Sequence, residues 1–150
     1  MRFGLTTLML MLLGGVTAGA GGTASVTFIP AMEVTGAFVQ GRPLVETPAY
    51  KVHASRREAE GMAEVHVRDT DIIYVLDGSA SIVTGGQMIE GNVIAADEIR
   101  GRAISGGTTQ RLAKGDVLIV PNGVPHWFRD LQAPFLYYVV KATSEAGGTR

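Results

Sequence analysis

Apolar residues in this chain come in short runs, broken every few positions by turn residues. Glu64–Val67 reads Glu-Val-His-Val, the two-residue period of a strand with one buried face. Asp71–Leu76 is a β-branched and aromatic run, preceded by a turn at Asp69-Thr70. Asp77-Gly78 then predicts a two-residue hairpin turn, with Ala80–Thr84 as the returning strand and Gly85-Gly86 as its end. Val26–Ile29, Ala37–Val39, Tyr50–Ala54, Gln110–Leu112, Val117–Val120, His126–Arg129 and Phe135–Ala142 are further predicted strands. Arg42-Pro43 and Thr47-Pro48 break the early part, and Arg56–Gly61 reads as a polar connection. The long stretch Gln87–Gly107 is open between a surface insertion and a functional one. Within it, Asn92–Ile99 and Arg100–Ile104 would form an extra strand pair or a lid-like loop. Regular short strands with frequent turns predict an all-β sandwich or barrel, and no repeat or linker marks a second domain.

Residues 1–20 stand apart from this pattern. They hold one Arg near the start, the apolar run Leu8–Leu13, and an A-x-A site at Ala18-Gly19-Ala20. These are the parts of a secretory signal peptide, so the mature chain is expected to begin near Gly21 and to be periplasmic or secreted. The apolar run is far shorter than the ~20 residues of a spanning helix, so no stable membrane insertion is expected after cleavage. Residues 21–150 are then a single domain. The full chain's 20 glycines suit tight turns. The absence of cysteine excludes disulfides and thiolate chemistry. A formal charge of −1 with no basic stripe argues against nucleic acid as a partner.

Candidate chemistry gathers in two stretches, each read as hairpins carrying a His: Gly61–Gly86 and Gly115–Phe128. Strand alternation puts Glu64 and His66 on one face, and Asp71 just across the turn is able to aim into the same space. Ile73 and Val75 follow on that face as walls, with Tyr74 on the other. His126 comes from a distant strand, placed by the Pro121–Pro125 turn. His53, outside both stretches, is read as an ordinary hydrogen-bonded histidine. Trp127, Phe128, Phe135, Tyr137 and Tyr138 are read as core and rim. Arg100, Arg102 and Arg111 are read as solvated, unless one lines the mouth and selects an anion.

The second stretch has the form G-x(5)-P-x-G-x(2)-H, from Gly115 through Pro121 and Gly123 to His126. The first places His66 five positions before Asp71, and Asp71 seven before Gly78. On these motifs the chain resembles the cupin family from about Phe28 to Lys141. The resemblance implies a double-stranded β-helix, or jelly-roll barrel, with one site for a divalent metal. In the family pattern the first motif offers His-x-His and then Glu, and the second offers His. His66, Asp71 and His126 take the later slots, while Glu64 stands in the first His slot. Glu58 replaces an expected Gly and Asp130 an expected Asn.

Two imidazoles with one or two carboxylates favour Mn(II) or Fe(II), with Zn(II) possible on affinity grounds. Glu64 is open between fourth ligand and general base, and a metal-free descendant is the third alternative. The resemblance implies a small-molecule enzyme of the isomerase, lyase or decarboxylase kind. An Fe(II) dioxygenase and a non-enzymatic small-ligand or sugar-binding barrel are the alternatives. The partner is expected to be a small-molecule substrate or ligand. A homodimer is also expected, with Val26–Ile29 as a strand added or exchanged between copies.

Overall fold

A computed structural model describes residues 25–145. The expected signal peptide lies outside the described residues. Where the hydrophobic pattern predicted early strands, the chain instead forms the helix α1 (Ala31–Gln40), and Val26–Ile29 joins no strand. Short-range capping and spacing decide this. The Pro30 carbonyl accepts the amides of Glu33 and Val34 at 2.9 and 3.1 Å, opening the first turn. Val34, Ala37 and Phe38 recur at helical spacing, and Ala37 is fully buried. Gly41, at φ 65°, closes the helix by donating to the Ala37 carbonyl.

The strands begin with β1 (Arg42–Glu46), β2 (Tyr50–Arg57), β3 (Ala63–His66) and β4 (Asp69–Thr84). The Gln87–Gly107 stretch supplies four short ones: β5 (Gln87–Ile89), β6 (Asn92–Ala95), β7 (Glu98–Gly101) and β8 (Ala103–Ser105). The chain ends in β9 (Thr108–Ala113), β10 (Val117–Val120) and β11 (His126–Thr143). All pairings are antiparallel. The order runs β1-β2-β11-β3-β7-β6, with β4 joined to β11, β9 and β10, and with β5–β8 as a separate pair. This is the expected all-β, curled jelly-roll architecture.

Two long strands form its spine. β4 and β11 pair from Asp69↔Thr143 at one end to Thr84↔His126 at the other. Asp77-Gly78 is therefore not a hairpin turn but a bend inside one strand. The burial pattern shows why. Asp71, Ile73 and Val75 point inward before the bend, Ala80 and Ile82 after it, so the inward parity changes by one residue. In β11 the inward set likewise changes from His126 and Phe128 to Phe135, Tyr137 and Val139, with a register shift opposite Gly78. Gly78 has φ 73°, and a Cβ there would lie 2.4 Å from the Pro134 carbonyl oxygen. The positive φ that suits Gly to a hairpin turn serves a bulge here instead.

Other boundaries also shift. The turn before β4 falls at Val67-Arg68, because Asp69 is already tied into the ladder: its carboxylate accepts from Thr143 Oγ1 at 2.6 Å. β2 runs on through Arg57, which pairs with Phe135, so the polar connection starts later than its composition suggests. β10 pairs with β4 rather than forming a hairpin with β11. The apolar core (Ile73, Val75, Ala80, Ile82, Leu112, Phe128, Phe135, Tyr137, Val139) fills one part of the barrel interior. The other part is polar.

Candidate metal centre

Four inward positions on three strands meet at this polar part of the interior. Glu64 and His66 are alternate residues of β3, both nearly inaccessible, while Val65 between them is half-buried. Asp71 lies on β4 and His126 opens β11, directly opposite Glu64 in the ladder. The turn before β11 also holds β3: Gly123 N–H donates to the His66 carbonyl at 2.8 Å.

The side-chain tips converge. His66 Nε2 is 3.6 Å from Glu64 Oε2 and 3.4 Å from Asp71 Oδ2. His126 Nε2 is 4.0 and 3.9 Å from the same two oxygens. Glu64, His66 and His126 offer ligand atoms that all lie within 4.8 Å of one another. Donor atoms sharing an ion at roughly 2.1 Å stand about 3.0–3.4 Å apart, so these separations need only a small contraction.

Both rings are held with Nε2 facing inward. His66 Nδ1 lies 2.5 Å from Glu98 Oε2, and His126 Nδ1 lies 3.2 Å from the Val124 carbonyl oxygen. With these outer acceptors taking the Nδ1 protons, each Nε2 faces the common centre and can bind an ion once it carries no proton of its own. His66 Nε2 is buried with no hydrogen-bond partner, an orphan that an ion would satisfy. The residues present therefore fit a divalent metal.

Fixed charges grip the two carboxylates from outside. Glu64 Oε1 accepts from Arg57 at 2.8 Å and lies 2.7 Å from Arg100 Nη1, leaving Oε2 toward the imidazoles. Lys141 Nζ donates to both Asp71 oxygens at 2.8 and 3.0 Å. Burial opposes ionisation of both acids, but Arg57 and Arg100 outweigh it at Glu64, and His66 and Lys141 outweigh it at Asp71. Both carboxyls are held below their usual range. For His66, burial works against the cation, yet the flanking carboxylates of Asp71 and Glu98 raise the ring to about 9. Burial lowers His126 and keeps it neutral.

The site opens into a cavity of about 620 Å³. Ile73 walls it, as its place on the Asp71 face predicts, and Val75 continues that face into the core. Tyr74 faces outward, 45% exposed. His53 lines the cavity but is tied to Glu46 Oε1 at 2.9 Å. Phe128, Phe135 and Tyr137 are core residues.

Of the three arginines considered from sequence, Arg100 reaches the cavity. Arg102 pairs with Glu90 and Arg111 with Ser79. Sequence reading missed Arg57, Glu98, Lys141, Lys51 and Asp69. Alternation gives a signal for Glu98 and Arg100, which are alternate residues of β7 and face inward through the β3 ladder. Arg57 would have followed from extending β2 by three residues.

A family model described as cupin matches residues 25–148. No curated protein matches the chain. Among solved structures, the BH2720 protein of Bacillus halodurans aligns with a TM-score of 0.57 at 13% identity, covering 85% of this chain and 89% of that one. An uncharacterized conserved protein with a double-stranded β-helix domain from Klebsiella pneumoniae gives 0.53 at 22% identity, covering 83% and 95%. At these identities the likeness is one of fold. The barrel, its two motifs and a family match across all the described residues agree: the chain belongs to the cupin family.

Proposed function

We propose that this cupin is an exported, metal-dependent enzyme acting on a small oxygenated compound by isomerase, lyase or decarboxylase-like chemistry. The observation that carries the reading is the convergence of two imidazole Nε2 atoms and two carboxylate oxygens at 3.4–4.0 Å on the wall of the cavity. His66, His126, Glu64 and Asp71 would hold the ion, with Mn(II) or Fe(II) favoured by the oxygen-rich set and Zn(II) competing through affinity. Such an ion supplies Lewis-acid polarisation of a substrate oxygen.

The chain's own groups set the rest. Glu98 orients His66, and the Val124 carbonyl orients His126. Arg57 and Arg100 stabilise the Glu64 anion, which makes Glu64 a weak base and favours its role as a ligand. The apolar wall around Ile73 and Phe128 limits water on one side. A homodimer is part of the same reading, since Ile72, Tyr74, Val117 and Ile119 expose an apolar outer face on neighbouring strands.

Elemental analysis of protein purified from the exported fraction tests the proposal, with about one divalent ion per chain expected. Glu64→Gln is then decisive for that residue. Loss of both affinity and turnover assigns it as a ligand, and loss of turnover alone assigns it as a base.

One observation favours a second reading. Lys141 occupies both oxygens of Asp71, which leaves Glu64, His66 and His126 as a two-His, one-carboxylate set of the kind used by Fe(II) oxygenases. Oxygen uptake by the iron-loaded protein separates the two.

A further inference from the structure

The inward face of β2 is built from hydrogen-bond donors. Lys51, His53, Ser55 and Arg57 alternate into the cavity, where a barrel strand ordinarily buries apolar side chains. Lys51 also stands directly opposite Lys141 across the β2–β11 ladder. Two like charges on one face are destabilising unless anions compensate. Here carboxylates do so: Asp69 is 2.6 Å from Lys51, and Asp71 is 2.8 Å from Lys141.

The charges of the cavity then balance. Lys51, Lys141, Arg57 and Arg100 face Asp69, Asp71, Glu64 and Glu98, four against four. Asp97 at the rim is matched by Arg68 at 3.6 Å. Metal-bound imidazoles are neutral. The protein therefore brings no net charge to the ion, because cations already compensate the carboxylates that would neutralise it. A dication seated here leaves two positive charges facing a cavity of about 620 Å³, within the range of small-molecule sites.

Resting on the metal reading above, we infer that the cavity takes a small carboxylate, with one oxygen of the molecule at the ion and its carboxylate along the β2 donors. Lys51 has an N–H to spare: its three donors meet Asp69 at 2.6 Å and Thr143 Oγ1 only at 3.4 Å. A carboxylate suits this wall better than a phosphate. Donors on alternate residues of a strand stand about 6.6 Å apart and engage one or two oxygens each. No glycine-rich loop or helix N-terminus lines the cavity among the described residues to surround three oxygens.

The test is calorimetric titration of the full chain, loaded with Mn(II) or Zn(II) and assayed for metal before and after. Glycerate is compared with glycerol, and malate with butanetriol, each pair differing by carboxylate groups alone. At least tenfold tighter binding of the acids is expected. Lys51→Gln should lose about tenfold of that while keeping its metal, and Lys51→Arg should retain it, which separates lost charge from lost fold. If the loaded protein binds acid and alcohol alike, or binds inorganic phosphate more tightly than glycerate, the inference is overturned and the metal reading stands. If the chain holds no metal, the metal reading falls. Lys51-dependent glycerate binding to that metal-free protein would then sustain the carboxylate site, and its absence would overturn both.

Discussion

Replacing Glu98 by Gln separates two effects that this carboxylate has on His66. The contact is 2.5 Å long and largely shielded, with side chains 19% and 7% exposed. In the metal-free protein burial opposes the His66 cation, but Asp71 and Glu98 hold its pKa at about 9. That raised value favours the metal-free fold fully below the ordinary histidine pKa of about 6.5 and loses its contribution as pH rises through 9. An incoming ion must displace the same proton. At pH 7 this costs about 100-fold in affinity relative to the plateau above pH 9, and affinity climbs about tenfold per pH unit between them. Glu98→Gln keeps the shape and removes the charge. The His66 pKa falls, so the climb levels off at lower pH. On the plateau, where no proton competes, the variant binds about tenfold more weakly, the low end for loss of an outer histidine partner. The two curves therefore approach each other toward neutral pH. Competition with a chromophoric chelator for Zn(II) or Mn(II), from pH 6.5 to 9.5, reads both effects. A wild-type curve flat between pH 7 and 9, or a variant curve parallel to it, would refute the reasoning.

Lys141→Met should raise metal affinity about tenfold in the same assay, because it removes a cation 2.8–3.0 Å from both Asp71 oxygens; an unchanged or lower affinity counts against Asp71 as a ligand. His126→Ala should lower affinity at least 100-fold, while His53→Ala, tied to Glu46, should leave it within about twofold. Gly78→Ala should cost about 1–3 kcal/mol by denaturant unfolding, since its φ of 73° is matched by backbone oxygens crowding any Cβ. Gly115→Ala, at φ 93° with open space around it, should cost less, and equal losses would show that crowding at the bend is unimportant. Protein recovered from the periplasm or medium should begin near Gly21 and scatter light as a dimer. An intact Met1, or a monomer at micromolar concentration, contradicts the respective expectation.

What the sequence made legible was the part governed by local period. Glu64 and His66 share a face because alternate strand residues must, and Ile73 follows Asp71 inward for the same reason. The errors fall where a non-local pairing overrides a local signal. Asp77-Gly78 has the residues of a hairpin turn, but β11 supplies a partner along the whole of β4 and turns that signal into a bulge. The helix α1 was missed because Ala37–Val39 is too short an apolar run to distinguish a strand from a buried helical face. The outer partners of the site were hidden for a different reason. Glu98, Arg100 and Lys141 look like ordinary surface charges along the chain, and only the ladders β3–β7 and β4–β11 turn them inward.

Those outer partners bear on the departure at Glu64. Exchanging a neutral imidazole for a carboxylate adds a buried negative charge, which is costly unless it is paired. Arg57 and Arg100 supply the pairing from two separate strands, β2 and β7, and both engage the same oxygen, Oε1. A site that had merely lost its first ligand would have no use for that selectivity: a carboxylate left without an ion is better served by donors on both oxygens, or by turning toward solvent. Here one oxygen is saturated and the other faces two unprotonated-capable nitrogens at 3.6 and 4.0 Å. This asymmetry favours Glu64 as a substituted ligand over Glu64 as the remnant of a lost one. It also explains why the exchange did not make the site strongly anionic, since the one added negative charge is met by two guanidiniums, brought in by the extended β2 and by the insertion. If the proposed ion binds, the same guanidiniums would leave its charge unneutralised, which would draw anionic partners to the cavity.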